Sequence, residues 1–227
     1  MRPELRHVGE SRSPVVVIDD FSGSLEHIFE IADALAPYPR HTNYYPGLRR
    51  IFTAADTAAN AYVDETCERA AQFIAGAFDI DDFDLVEASF SMVTLKPTEL
   101  TPPQRAPHFD TTSQKDLALL HYLRVPANSG TAFYRQRTTG IERVTELNVS
   151  VYVPVAEVQT AQLPADSGYF HSSDEFFEQI GAVEAVPDRM IIFQGSLLHS
   201  GIIPPDMPLT ADPRQGRLTA NIFVRGQ

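Results

Sequence analysis

The chain has 227 residues and a formal charge of −12, with 18 Lys and Arg against 30 Asp and Glu. A hydrophobic content of 43% and a charged content of 21% exclude a mostly disordered or fibrous protein. An acidic field of this size repels phosphate backbones and anionic lipid, so neither nucleic acid nor a membrane surface is expected as a partner.

The sole cysteine, Cys67, excludes an internal disulfide and any thiolate-rich zinc or iron–sulfur site. No apolar run approaches the length of a membrane span, and the opening MRPELRHVGESRS lacks the apolar stretch of a signal peptide. A cytoplasmic protein is expected.

In chain order, Ser13 to Ile18 reads as a strand. Ser22 to Leu35 reads as a helix, with Leu25, Ile28, Phe29 and Ala32 at helical spacing, Ser22 or Ser24 as its cap, and Pro37 and Pro39 as its stop. A second helix is predicted over Ala55 to Phe78, with Ala58, Tyr62, Ala70, Phe73, Ile74 and Ala77 as its packing stripe and Cys67 as an inert thiol within it. The cluster Asp79, Asp81, Asp82, Asp84 lacks the turn glycine and the closing Glu of a calcium loop, so it reads as a solvated linker.

From Phe83 the pattern changes to strands: Phe83 to Leu95, Asp116 to Arg124, Thr131 to Arg135, Met190 to Gln194 and Gly216 to Arg225. Asp174 to Ile180 reads as a short helix. Val144 to Val158 is readable as strand from its β-branched residues, or as helix from the spacing of Val151, Val155 and Val158. Helices followed by a run of strands predict one α+β domain over residues 1–227, mainly β. Residues 1–82 would hold an N-terminal strand and supporting helices, and 83–227 a sandwich or barrel core. The two predicted helices are the expected surfaces of a homodimer.

Two segments carry metal chemistry. In Pro107-His108-Phe109-Asp110, an extended backbone turns residues i and i+2 to one face, so His108 and Asp110 can share a metal. His199, in Leu197-Leu198-His199-Ser200-Gly201, is a candidate third ligand just after an apolar strand. Two imidazoles and one carboxylate suit non-haem iron(II), because they leave positions open for a co-substrate and dioxygen. The His-x-Asp spacing alone is weak evidence, since 7 His and 16 Asp give about half an occurrence by chance.

The last strand adds weight. One of its faces carries Leu218, Ala220, Ile222 and Val224, while the other carries Arg217, Thr219, Asn221 and Phe223. The second face is too polar for a core and reads as a cavity lining, with Arg217 placed to pair with a carboxylate and Thr219 to add a hydroxyl. A structural salt bridge is the competing account of Arg217. Arg105, Arg135 and Arg137 read either as solvated surface charge or as contacts to an anionic substrate. His7, His27, His41 and His171 have no partner motif and receive no role. The loops over 96–107 and 202–215 flank the site and are long enough to serve as lids or binding loops.

The set His108-x-Asp110, His199, Arg217-x-Thr219 resembles the iron(II)- and 2-oxoglutarate-dependent dioxygenases, in their prolyl-hydroxylase-like branch, over roughly residues 83 to 225. His121-Tyr122-Leu123 and the Gly130-Thr131 turn add to the likeness. The whole chain is also similar to an uncharacterised bacterial family with the same layout from Phe133-Tyr134-Arg135 to Leu197-Leu198-His199-Ser200-Gly201.

The resemblance implies a double-stranded β-helix core (jelly roll, cupin-like). It implies iron(II) held by His108, Asp110 and His199, and 2-oxoglutarate held through its distal carboxylate by Arg217 with Thr219. His121 falls where many relatives use a tyrosine for that carboxylate, and it either donates there or packs. The tyrosine that relatives carry some ten residues before the first ligand is missing, because that stretch is Leu95-Lys96-Pro97. Asp110 favours hydroxylation over halogenation. The expected reaction is dioxygen-dependent hydroxylation of a small molecule or an amino-acid side chain, including one in a peptide. A zinc hydrolase and a non-catalytic module binding a metabolite or a protein are the competing readings.

Overall fold

A computed structural model describes residues 1–40 and 44–227; His41, named above, lies outside the described residues. Strands β1 (Arg2–Val8) and β2 (Ser13–Asp19) open the chain, followed by helix α1 (Glu26–Ala34), β3 (Gly47–Ile51), helix α2 (Thr57–Phe78) and β4 (Phe83–Val93). Two short 3-10 turns, Pro97–Glu99 and Pro102–Arg105, lead to β5 (Asp116–Arg124) and β6 (Gly130–Gln136). Helix α3 (Val149–Gln162) precedes β7 (Phe177–Glu184), β8 (Arg189–Gln194), β9 (His199–Ile202) and β10 (Leu218–Gly226).

The strands form a seven-stranded sheet in the order β1-β2-β8-β5-β10-β4-β3 and a three-stranded sheet in the order β7-β6-β9. Every pairing is antiparallel. The protein is therefore mainly β, a two-sheet sandwich of the jelly-roll kind. Residues 1–82 supply three strands of the large sheet rather than the single strand expected. Among them β1, which no sequence signal marked, contains His7.

Three apolar layers stack through the molecule. On the outer face of the large sheet, Leu218, Ala220, Ile222 and Val224 of β10 pack with Ile28 of α1 and Tyr62, Val63 and Ile74 of α2. Each such fully buried aliphatic side chain contributes about 1.5–3 kcal/mol. Between the sheets lie Val15, Val17, Tyr122, Phe133, Ile191 and Phe193. Under α3, on the far face of the small sheet, lie Tyr134, Tyr152, Phe177 and Leu198.

Local chemistry accounts for the departures from the expected elements. α1 begins at Glu26 without a side-chain cap, because the Ser22 hydroxyl donates to Asp188 (2.7 Å) instead. In α2, Ala59 rather than Ala58 is buried, and Cys67 is half-buried with its thiol pushed up to about 11 by that burial. The predicted helix over Asp174 to Ile180 is overturned. The Asp174 carboxylate accepts the Phe176 and Phe177 amides (2.8 and 2.6 Å), and the chain turns directly into β7. The ambiguous stretch 144–158 resolves into α3 from Val149 onward, and Pro154 removes one backbone donor without ending the helix. No described helix is long and apolar enough to cross a membrane.

Candidate metal centre

His108 and His199 are brought side by side by the backbone. Each donates its amide to the other's carbonyl (2.9 and 2.8 Å), an antiparallel bridge that sets their ring centroids 4.3 Å apart. Asp110 is anchored by its own amide, which donates to the Gly195 carbonyl (2.7 Å) at the end of β8. Its carboxylate lies 3.8 Å from His108 Nε2 and 3.6 Å from His199 Nε2. One donor atom from each of the three residues lies within 4.8 Å of the other two.

The donor chemistry fits a divalent metal. His199 Nδ1 donates to the Leu197 carbonyl (2.8 Å), which fixes the tautomer and leaves the Nε2 lone pair for a ligand bond. Desolvation first, and the adjacent His199 second, lower the His108 pKa against the pull of Asp110. His199 is buried, whereas 53% of the His108 side chain and 25% of the Asp110 side chain are exposed. The cluster is thus walled on one side and open on the other, as a metal that must admit further ligands requires.

Gly195 supports this geometry at close range. A Cβ there would lie 3.3 Å from Asp110 Cβ and 3.0 Å from Thr111 Cγ2. It was not singled out from the sequence, because only the fold brings the end of β8 against Asp110.

The second half of the site lies on the inner face of the large sheet. The alternation read in the last strand holds: its apolar face meets the helices, and Thr219 turns the other way. Register aligns Arg49 of β3, Ser91 of β4, Thr219 of β10 and Tyr122 of β5 in one row across four strands. Arg217, just before β10, is only 5% exposed and makes no hydrogen bond or ion pair among the described residues; its Nε is buried without a partner. It lies 5.9 Å from the Tyr122 ring centroid. The structural salt bridge weighed for Arg217 is therefore absent among the described residues.

Two further buried polar atoms near this row lack partners, the Tyr45 hydroxyl and Arg49 Nε. Burial raises the Tyr45 pKa, with Arg217 and Arg49 opposing, so the hydroxyl remains a proton donor. Burial likewise pushes Tyr122 up to about 12, again opposed by Arg217. Arg49 pairs with Glu87 (2.6 Å), whereas Arg217 beside the row has no ion pair among the described residues. Thr219 donates to Asn221 Oδ1 (3.0 Å). A buried guanidinium costs several kcal/mol unless paired, and Arg217 has no ion pair among the described residues.

His121 does not join either half. It lies on the opposite face of β5, fully buried, and accepts a hydrogen bond from the Tyr62 hydroxyl at Nδ1 (2.8 Å) while donating from Nε2 to Asp188 (3.0 Å). Burial lowers its pKa. Tyr122, one residue on, turns into the apolar layer between the sheets instead, and the side of the sheet taken by the helices decides between the two. Tyr45, likewise unread in the sequence, reaches the row from the segment before β3. Of the other arginines, Arg135 pairs with Glu10 and Glu178, and Arg137 is half-exposed beside Glu178. Arg105 is buried rather than solvated, contrary to its reading as surface charge.

Solved structures share this architecture. The chain aligns over 95% of its length with 79% of the non-heme alpha ketoglutarate dependent epimerase SnoN from nogalamycin biosynthesis (TM-score 0.56, 13% identity). It aligns over 95% of its length with 84% of HygX from Streptomyces hygroscopicus, solved with nickel and 2-oxoglutarate (TM-score 0.56, 11% identity). A Pseudomonas putida prolyl-4-hydroxylase aligns over 95% of its own chain and 96% of this one (TM-score 0.50, 11% identity). The fold is thus the one found in the iron- and 2-oxoglutarate-dependent oxygenase superfamily. The chain belongs to DUF6445, a family of unknown function whose model matches residues 1–224. No curated protein matches it in sequence.

Proposed function

We propose that the protein is an iron(II)- and 2-oxoglutarate-dependent oxygenase, built on a double-stranded β-helix, that hydroxylates a small molecule or an amino-acid side chain. The observation that carries this reading is the buried Arg217, without an ion pair among the described residues, in a fold that also gathers His108, Asp110 and His199. A zinc hydrolase has use for the three ligands and none for the arginine.

In this reading His108, Asp110 and His199 hold the iron, and Asp110 occupies the position a halide would otherwise need. Arg217 pairs with the distal carboxylate of 2-oxoglutarate, and Thr219 and the Tyr45 hydroxyl complete its polar surroundings. Bound iron with 2-oxoglutarate supplies the oxidising chemistry toward dioxygen. The chain's own residues fix ligand orientation through the Leu197 and Gly195 carbonyls and hold the co-substrate's charge in a site shielded from water.

The test is calorimetric titration of 2-oxoglutarate into anaerobic protein loaded with manganese(II), beside His199→Ala. Binding in the micromolar range that requires the metal and disappears in the variant supports the reading. Failure of folded, metal-loaded protein to bind sinks it.

A further inference from the structure

A cavity of about 290 Å³ opens between the second 3-10 turn and the loop that follows α3. Arg105, Tyr169, His171, Ser172, Asp174 and Glu175 are among its walls, while the metal triad and Arg217 are not. Its volume falls at the lower end of the small-molecule range.

Arg105 is 8% exposed, and its Nε is buried without a partner. Its remaining contacts are backbone carbonyls, Leu100 at 2.5 Å and Pro164 at a marginal 3.5 Å. Carbonyls satisfy N–H groups but do not cancel the charge, and the guanidinium forms no ion pair among the described residues. The acidic wall does not supply one either, because Asp174 is turned to the amides of Phe176 and Phe177. A buried, uncancelled guanidinium beside an open cavity calls for a ligand anion. A single negative charge is the better match, since a doubly charged group would meet repulsion from Asp174 and Glu175.

The cavity adjoins the metal centre through both ligand segments. Arg105 stands three residues before His108, so their Cα atoms are at most about 10 Å apart. On the other side, Ser200, which follows His199, donates its hydroxyl to the Phe170 carbonyl (2.8 Å), tying the cavity loop to β9. We propose that this cavity is a carboxylate subsite and, resting on the oxygenase reading above, that it anchors the acid group of the substrate oxidised at the metal centre. The substrate class is then a small monocarboxylate, or an acidic side chain presented singly.

The test follows the arginine Nε–H signals by nitrogen-15 NMR, with Arg105 and Arg217 assigned through Arg105→Lys and Arg217→Lys. Acetate is titrated into the full chain at constant ionic strength, with acetamide and chloride as controls. The expected result is a saturable shift of the Arg105 signal with acetate, about tenfold weaker with acetamide, as loss of a charge-assisted pair predicts. Ser172→Trp, which narrows the cavity and leaves Arg105 in place, abolishes that shift. A response no different from chloride, or one that survives Ser172→Trp, overturns the subsite. In a separate arm, 2-oxoglutarate with zinc(II) as a diamagnetic stand-in reports at Arg217. Silence there with a response at Arg105 defeats the oxygenase reading and leaves the carboxylate site standing, and the reverse pattern defeats the subsite alone.

Discussion

Replacing Arg217 by methionine should make the ligand-free protein more stable while destroying its affinity for 2-oxoglutarate. The guanidinium is 5% exposed and unpaired among the described residues, so the free protein carries its desolvation cost without a compensating contact. Methionine keeps most of the volume and removes the charge, and exchanges of this kind stabilise by about 1–4 kcal/mol when packing is preserved. For a chain of this size that corresponds to about 2–4 °C in Tm per kcal/mol. Binding should move the opposite way. Loss of one partner from a buried charge pair costs about 3–5 kcal/mol, or a weakening of roughly 10²- to 10⁴-fold. Differential scanning calorimetry of the free variant and titration of 2-oxoglutarate into the manganese(II)-loaded form measure the two effects independently. A variant that melts lower than the parent and still binds 2-oxoglutarate would refute the reasoning, because Arg217 would then be a structural residue.

Gly195→Ala should fold, since its backbone is not in the left-handed region, yet it should weaken manganese(II) binding by about 10- to 100-fold because the new Cβ presses on Asp110; unchanged metal affinity would show that Asp110 is not held where the metal needs it. Tyr62→Phe leaves His121 Nδ1 without its donor and should cost about 1–3 kcal/mol in urea unfolding, with metal and 2-oxoglutarate binding unaffected. The same network sets a pH dependence. His121 titrates below its ordinary 6.5, so the unfolded chain protonates first and stability falls as the pH drops below 6.5. Burial alone would raise Asp188, but hydrogen bonds from His121, Ser22 and Gly23 hold it at about 2, so a second loss of roughly 2 kcal/mol follows between pH 3.8 and 2. Urea melts from pH 8 to 2 check both signs, and His121→Phe should remove the first fall; a first fall that persists in that variant assigns it elsewhere.

Much of the site was legible in the linear chain because strand alternation is a local rule. Successive residues of an extended segment point to opposite faces whatever surrounds them, so the polar set Arg217, Thr219 and Asn221 separates from Leu218, Ala220, Ile222 and Val224 before any fold is known. The pairing of His108 with Asp110 is local in the same sense. His199, Gly195 and Tyr45 reach the site across long separations, and only the bridge between His108 and His199 and the packing of β8 and β3 place them. The choice between His121 and Tyr122 was also beyond the chain, because alternation assigns them to opposite faces without saying which face the helices cover. Asp174 shows the limit from the other side. Two amides held by one carboxylate, together with pairing to β6, outweighed a marginal seven-residue helix. Periodicity determines which side chains share a face; the tertiary structure decides what that face meets, because burial and hydrogen-bond partners belong to the packed molecule and not to the segment.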